Sequence, residues 1–206
     1  MNPRIATALS VLFHPLLLPT YLFGLLLYYL PPEVFSYPPE GRRLIVLLVF
    51  ILTFLLPVFG TLMMQQAGVV TSITLDARTD RRWPLLLAAT CYTVLTVMFF
   101  RVSFFDNLFF LIMLLVTASV YMTLVINQFW KISAHSIGLG GGLGIMVLLH
   151  GWLPENYLLY PMALGAVACG AVISARLALG AHNTKQVYAG FALGFLLGIS
   201  LWGAAF

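Results

Sequence analysis

The chain has 206 residues, 62% of them hydrophobic and 8% charged, with ten Lys and Arg against six Asp and Glu. A soluble domain is about 45–50% apolar and about 25% charged, so this chain cannot cover a water-facing surface, which excludes a soluble globule, a disordered chain and a disulfide miniprotein. A membrane helix takes about 20 apolar residues, leaving room for several spans and little aqueous domain.

The first apolar stretch covers residues 5–30 and contains Pro15 and Pro19. It is longer than the apolar core of a signal peptide, about 7–15 residues, and is expected to persist as the first span. A Pro- and Glu-rich loop with Arg42 and Arg43 leads to the second stretch, residues 44–64. Residues 65–83 form a polar loop that holds five of the sixteen charged side chains. The third stretch, 84–100, opens on Pro84, whose missing N–H costs nothing at a helix start. The fourth to seventh follow at 108–129, 137–153, 157–174 and 187–206. These runs are continuously apolar and do not alternate, so they are helices and not barrel strands. The expected fold is an all-α integral membrane protein. It is a polytopic bundle of six to seven transmembrane helices, with residues 1–206 forming a single transmembrane domain.

Several features read as packing. Gly138, Gly140, Gly141, Gly142 and Gly144 lie inside an apolar stretch, with no Gly-Lys-Ser/Thr after them. They predict close helix contact and not a nucleotide loop. Cys91 and Cys169 lie in apolar runs and read as small core residues. Trp83, Trp130 and Trp152 stand at span ends, as interfacial belt residues do. His14 and His150 read as hydrogen-bonded or interfacial. No basic run exceeds an Arg pair, so the net charge of +4 does not point to nucleic acid.

Counting spans places the N-terminus and loops 65–83, 130–136 and 176–186 on one side. That side carries Arg4, Arg78, Arg81, Arg82, Lys131, Arg176 and Lys185. The other side carries Arg42, Arg43 and Arg101 with Glu33, Glu40, Asp106 and Glu155. The positive-inside rule favours the first side as cytoplasmic. That bias vanishes if Arg78, Arg81, Arg82, Lys131 and Arg176 are kept for function. The expected location is a multi-pass position in a bacterial inner membrane, with lipid as substrate and surroundings.

Three polar clusters share the first side, and each ionisable group near membrane depth is a functional candidate. Arg78, Arg81 and Arg82, with Asp76 and Asp80, precede the third helix. Three guanidiniums suit a phosphate. Lys131, Ser133, His135 and Ser136 precede the fifth helix, where a serine cap and unbonded N–H groups favour an anion. Arg176, His182 and Gln186 lead into the seventh, with Gly180 placed to end the sixth and Asn183 or Thr184 to cap the seventh. Each cluster alone also has a plain reading: a positive-inside loop balanced by its aspartates, an interhelical turn with an interfacial His, and a capped turn with a base at either end. Together they supply Arg, Lys, Ser and two His, which suits phosphoryl transfer to a histidine nucleophile.

The order and spacing of these residues resemble the type 2 phosphatidic acid phosphatase superfamily, whose signatures are K-x6-R-P, P-S-G-H and S-R-x5-H-x3-D. Ser133-Ala134-His135 resembles the end of the second. Arg176-x5-His182-x3-Gln186, continued by Val187-Tyr188-Ala189-Gly190, resembles the third. The resemblance implies a phosphohistidine on His182, His135 as general acid, and Arg176 and Ser133 with its backbone N–H at the phosphate. Arg82 or Arg78 would stand for the base of the first signature. Such a route requires no metal or cofactor. The chain departs from the pattern at several places. Asp76 and Trp83 stand where the first signature has Lys and Arg, Ile132 and Ala134 replace Pro and Gly, and Gln186 replaces Asp. Gln186 can accept the imidazole N–H but carries no charge to stabilise an imidazolium. The implied function is hydrolysis of a lipid phosphate or diphosphate, such as phosphatidate, phosphatidylglycerophosphate or a polyprenyl diphosphate. One alternative is a non-catalytic phospholipid-binding or transport protein on the same fold. Another is a prenyl-transfer enzyme using Asp76-x3-Asp80.

Overall fold

A computed structural model describes residues 1–72, 78–153 and 155–200. Among them the only regular structure is helical. In chain order the α-helices are α1 (Pro3–Leu12), α2 (Leu18–Tyr28), α3 (Pro39–Phe50), α4 (Leu56–Gln66), α5 (Arg82–Arg101), α6 (Asn107–Ile126), α7 (Ala134–Trp152), α8 (Leu159–Ala178) and α9 (Thr184–Ile199). Five helical segments are long and apolar enough to cross a membrane: Pro39–Gln66, Thr79–Arg101, Asn107–Ile126, Ala134–Trp152 and Leu159–Ala178. On α8, Tyr160, Leu164 and Val167 are 71–75% exposed. That apolar face suits lipid and would be an aggregation surface in water.

The first apolar stretch is not the single helix expected over residues 5–30. It breaks between Leu12 and Leu18. A residue before proline is driven out of the helical region, which stops α1 ahead of His14-Pro15. Pro19 then sits in the first turn of α2, where proline is tolerated. With ten and eleven residues and a rise of about 1.5 Å each, neither helix alone matches a hydrocarbon core of about 30 Å.

The second stretch is a continuous helix from Pro39 to Gln66, interrupted by a π turn at Ile51–Leu55. Pro57 explains the interruption. It has no N–H for the carbonyl of Thr53, four residues back, and its ring pushes on that carbonyl. The wider turn makes room, and the buried Tyr92 hydroxyl donates to the Thr53 carbonyl at 3.3 Å.

The helices group into two compact units, Met1–Pro15 with Phe129–Phe206, and Leu16–Gln128. The second contains α2 to α6. Its core is aromatic: Phe23, Phe35, Tyr37, Phe99 and Phe109 meet at centroid distances of 4.9–6.0 Å. Asp106 caps α6 through a 2.7 Å bond from the Leu108 N–H.

The first unit contains α1, α7, α8 and α9. Its centre is a seam of glycines, as the glycine-dense segment predicts. A Cβ at Gly140 would lie 2.4 Å from the Phe191 carbonyl oxygen, and one at Gly144 would lie 2.5 Å from that of Phe195. A Cβ at Gly194 would lie 2.0 Å from the Ile137 carbonyl oxygen. Backbone meets backbone here, which only glycine allows. Residue numbers rise together along the seam, from Ser133 against Gly190 to Gly144 against Gly198. Helices α7 and α9 are therefore parallel, with their first turns side by side.

Candidate active site

Helix ends in the first unit set the position of every polar residue at the site. α8 closes in a Schellman turn. Gly180 takes φ +62°, its N–H reaches the Leu177 carbonyl at 3.0 Å, and the Ala181 N–H reaches the Arg176 carbonyl at 3.2 Å. Three residues later α9 begins with Asn183 as its cap. The Asn183 Oδ1 accepts the Gln186 N–H at 3.0 Å, and the Gln186 Oε1 accepts the Asn183 N–H at 3.2 Å. This is a complete capping box. His182 is held between the two devices and is 7% exposed.

The capping box fixes more than the helix end. Because Gln186 Oε1 accepts the Asn183 N–H, the orientation of the amide is decided by chemistry and not by choice. The same oxygen lies 3.0 Å from His182 Nδ1. An amide oxygen only accepts, so Nδ1 carries the hydrogen and Nε2 carries the lone pair. The expected nucleophile thus has a defined reactive atom.

Ser133 caps α7. Its Oγ accepts the Ser136 N–H at 3.4 Å and the Ser136 hydroxyl at 3.0 Å. Its backbone N–H, expected at a phosphate, donates instead to the Gln186 carbonyl at 3.4 Å. The physical reason is the seam: parallel helices packed this closely pair the chain just before α7 with the first turn of α9. Ser133 and Ser136 are both fully buried. Lys131 is half-buried in the segment leading to α7.

His135 stands one residue into α7. Its Nε2 lies 3.0 Å from the Ser10 carbonyl oxygen. Ser10 is in the last turn of α1, where carbonyls have no partner within the helix. A carbonyl only accepts, so Nε2 of His135 carries the hydrogen and, in the neutral ring, Nδ1 carries the lone pair. The two histidines are therefore held in opposite tautomers. His14, in the break after α1, meets the His135 ring edge to face at 5.8 Å. The positive charge of Arg176 acts on both His14 and His135, and His182 is within electrostatic reach of His135. The first unit so brings together His135, His182, Gln186, Arg176 and Ser133, all named from the sequence. It adds His14, which reads from the sequence as hydrogen-bonded or interfacial, and Ser10, which the sequence does not single out. The signal for them was the His14-Pro15 pair, because a helix break inside an apolar run exposes backbone acceptors that need donors.

Two parallel helix starts side by side add electrostatics of one sign. Each carries about half a positive charge. Arg176, in the last turn of α8, adds a full one. The region suits an anion.

Arg78, Arg81 and Arg82 belong to the second unit. Arg78 donates to the Gln128 carbonyl at 2.8 Å, and Asn127 Nδ2 donates to the Arg78 carbonyl at 3.1 Å. Arg82 lies 5.4 Å over the Trp83 ring. Arg78 and Arg82, with Thr79, Trp83, Leu124, Asn127 and Gln128, line a cleft of about 300 Å³. Asp80 is buried and accepts from the Thr71 N–H at 3.1 Å and from the Thr71 hydroxyl. Asp76 lies outside the described residues.

No protein-family model matches the chain, and no curated protein or solved structure matches it either.

Proposed function

We propose that the chain is an integral-membrane phosphatase for a lipid phosphate or diphosphate, working through a phosphohistidine on His182. The single observation that carries this reading is the His182–Gln186–Asn183 arrangement. It aligns the ring and leaves Nε2 as the nitrogen able to attack phosphorus. Arg176 and the paired helix starts supply the positive field that a transferring phosphoryl group needs. His135 is the second proton-handling group. The resemblance to the type 2 phosphatidic acid phosphatase superfamily supports the same assignment.

The test is phosphate release by purified protein in micelles from phosphatidate, phosphatidylglycerophosphate and a polyprenyl diphosphate. The wild type is expected to release phosphate from at least one, and His182→Ala is expected to fall to background. Equal release by His182→Ala would remove His182 as nucleophile.

One observation favours a second reading. Gln186 is neutral where a phosphatase of this type has a carboxylate, which fits a protein that binds a phospholipid head group without turning it over. A radiolabelled phosphoenzyme excludes that reading. The prenyl-transfer alternative rests on Asp76 and Asp80. Asp80 is engaged by Thr71, and loss of Mg²⁺-dependent turnover in Asp76→Asn would be needed to support it.

A further inference from the structure

The cleft at the start of α5 is built from residues that the chemistry at His182 does not use. It lies wholly within the unit of α2 to α6, whereas the histidines belong to the other unit. Arg78 is held at both ends on the close of α6. Its carbonyl accepts from Asn127, which is 5% exposed, and its guanidinium donates to the Gln128 carbonyl. That bond uses one of five N–H donors. Arg82 stands over the Trp83 ring, a contact that uses none of its donors. Two guanidiniums therefore line one opening with donors left for a ligand. Among the described residues no carboxylate pairs with either of them, and Asp80 is buried against Thr71. The cleft is positive, and planar guanidiniums match the oxygens of a phosphate.

The place of the cleft says what carries that phosphate. The spans Thr79–Arg101 and Asn107–Ile126 run antiparallel, as the Thr93–Tyr121 and Thr96–Thr117 bonds show, and the first begins where the second ends. Two apolar spans that end together do so at the boundary of hydrocarbon and water, the depth of lipid head groups. Trp83, 47% exposed, and Leu124 give the cleft an apolar wall. One turn into the span from Arg82, Leu86 is exposed, and so is Val125 beside Leu124. A cationic opening at head-group depth, continued by an exposed apolar flank, is complementary to a phospholipid. We infer that this cleft binds the head-group phosphate of an anionic phospholipid from the surrounding leaflet, as a resident lipid and not as the molecule hydrolysed. The bound lipid bridges the start of α5 and the end of α6 at the membrane surface. Such a site requires no turnover, so it stands whether or not His182 reacts.

The experiment measures binding of phosphatidylglycerol to the full chain in neutral micelles by native mass spectrometry. Phosphatidylglycerol is a phosphodiester and has no terminal phosphate to release. A basic residue near an anionic membrane surface changes binding by about fivefold. Wild type is expected to bind phosphatidylglycerol about fivefold or more tighter than phosphatidylcholine, whose head group is neutral overall. Excess inorganic phosphate is expected not to displace it. Equal binding of the two lipids overturns the inference. Displacement by inorganic phosphate assigns the cleft to a free anion and overturns the lipid as its ligand.

Arg82→Gln keeps both bonds between Arg78 and the end of α6. It is expected to weaken phosphatidylglycerol about fivefold, and Arg78→Gln with Arg82→Gln about 25-fold. Arg43→Gln with Arg101→Gln removes the same charge elsewhere in this unit, and Arg176→Gln removes charge from the unit of the histidines. Both are expected to bind the lipid as wild type does. Unchanged affinity in a folded Arg82→Gln protein overturns the cleft as the site, and so does an equal loss in either of the other two variants.

Discussion

In the unit of α2 to α6, three buried threonine hydroxyls bond to the carbonyl one turn back in their own helix, although Thr96 also pairs with Thr117 of the neighbouring helix. Thr61 donates to the Pro57 carbonyl at 2.7 Å, Thr96 to that of Tyr92 at 2.8 Å, and Thr123 to that of Ser119 at 2.6 Å. In the unit of α1, α7, α8 and α9, two bonds at the site run between elements. His135 reaches Ser10, and the Ser133 N–H reaches Gln186. The packing differs in the same sense. Large aromatic rings fill the first of these cores, whereas in the second, glycines let two backbones touch. Self-satisfied hydroxyls cost little and constrain little. Bonds between elements, held by a seam that cannot widen, fix the relative positions of side chains. Preorganised chemistry needs that kind of fixing, and it is found where the histidines are.

The largest break in this contrast comes from His182→Ala. It should reduce phosphate release by about 10⁴-fold or more, the scale on which removing a nucleophile acts in other hydrolases, while leaving thermal unfolding in micelles within a few degrees of wild type. Next is the seam. Gly194→Ala forces a Cβ to 2.0 Å from the Ile137 carbonyl and should cost about 3 kcal/mol by overpacking, read as a lower unfolding midpoint. Gly142→Ala meets nothing within 4 Å and is the control. A Gly194→Ala protein as stable as wild type would show that the seam is not the rigid element.

Gln186→Glu sharpens the comparison. Glutamate keeps the reach of glutamine, so it can still accept from both the Asn183 N–H and His182 Nδ1. It adds the charge that the superfamily pattern has at this position. It also places an anion in the first turn of α9, which favours the helix by about 0.3–1 kcal/mol. Turnover should be preserved or raised, and the unfolding midpoint should rise slightly. Asparagine at the cap gives a smaller effect: Asn183→Ala should cost about 1 kcal/mol and should also lower turnover, since the capping box orients Gln186. The smallest effect belongs to the other unit. Thr96→Val removes a 2.8 Å hydroxyl pair with Thr117. It should cost about 0.6 kcal/mol, the mean for such bonds in membranes, with phosphate release unchanged. A fall in release there would mean that the two units share the chemistry more than their bonding patterns imply.

Much of the site is legible in the sequence because it is local. Gly180, His182, Asn183 and Gln186 lie within one turn and one helix start, so helix-end chemistry alone joins them. Ser133 as the α7 cap is legible for the same reason. Ser10 and His135 are 125 residues apart, and no periodicity reports such a pair. The break in the first apolar stretch was present in the sequence as Pro15 and Pro19, but hydropathy averages over prolines and so returned one span.

The sequence by itself determined that the chain is helical, apolar enough for a membrane, and poor in charges outside a few loops. Composition and helix-end residues act locally, so they need no fold to be read. Which loops meet, and which nitrogen of His135 carries the hydrogen, follow only from the packing between helices. A tautomer depends on the acceptor that the ring faces. For His182 that acceptor is four residues away, and for His135 it is the end of another helix.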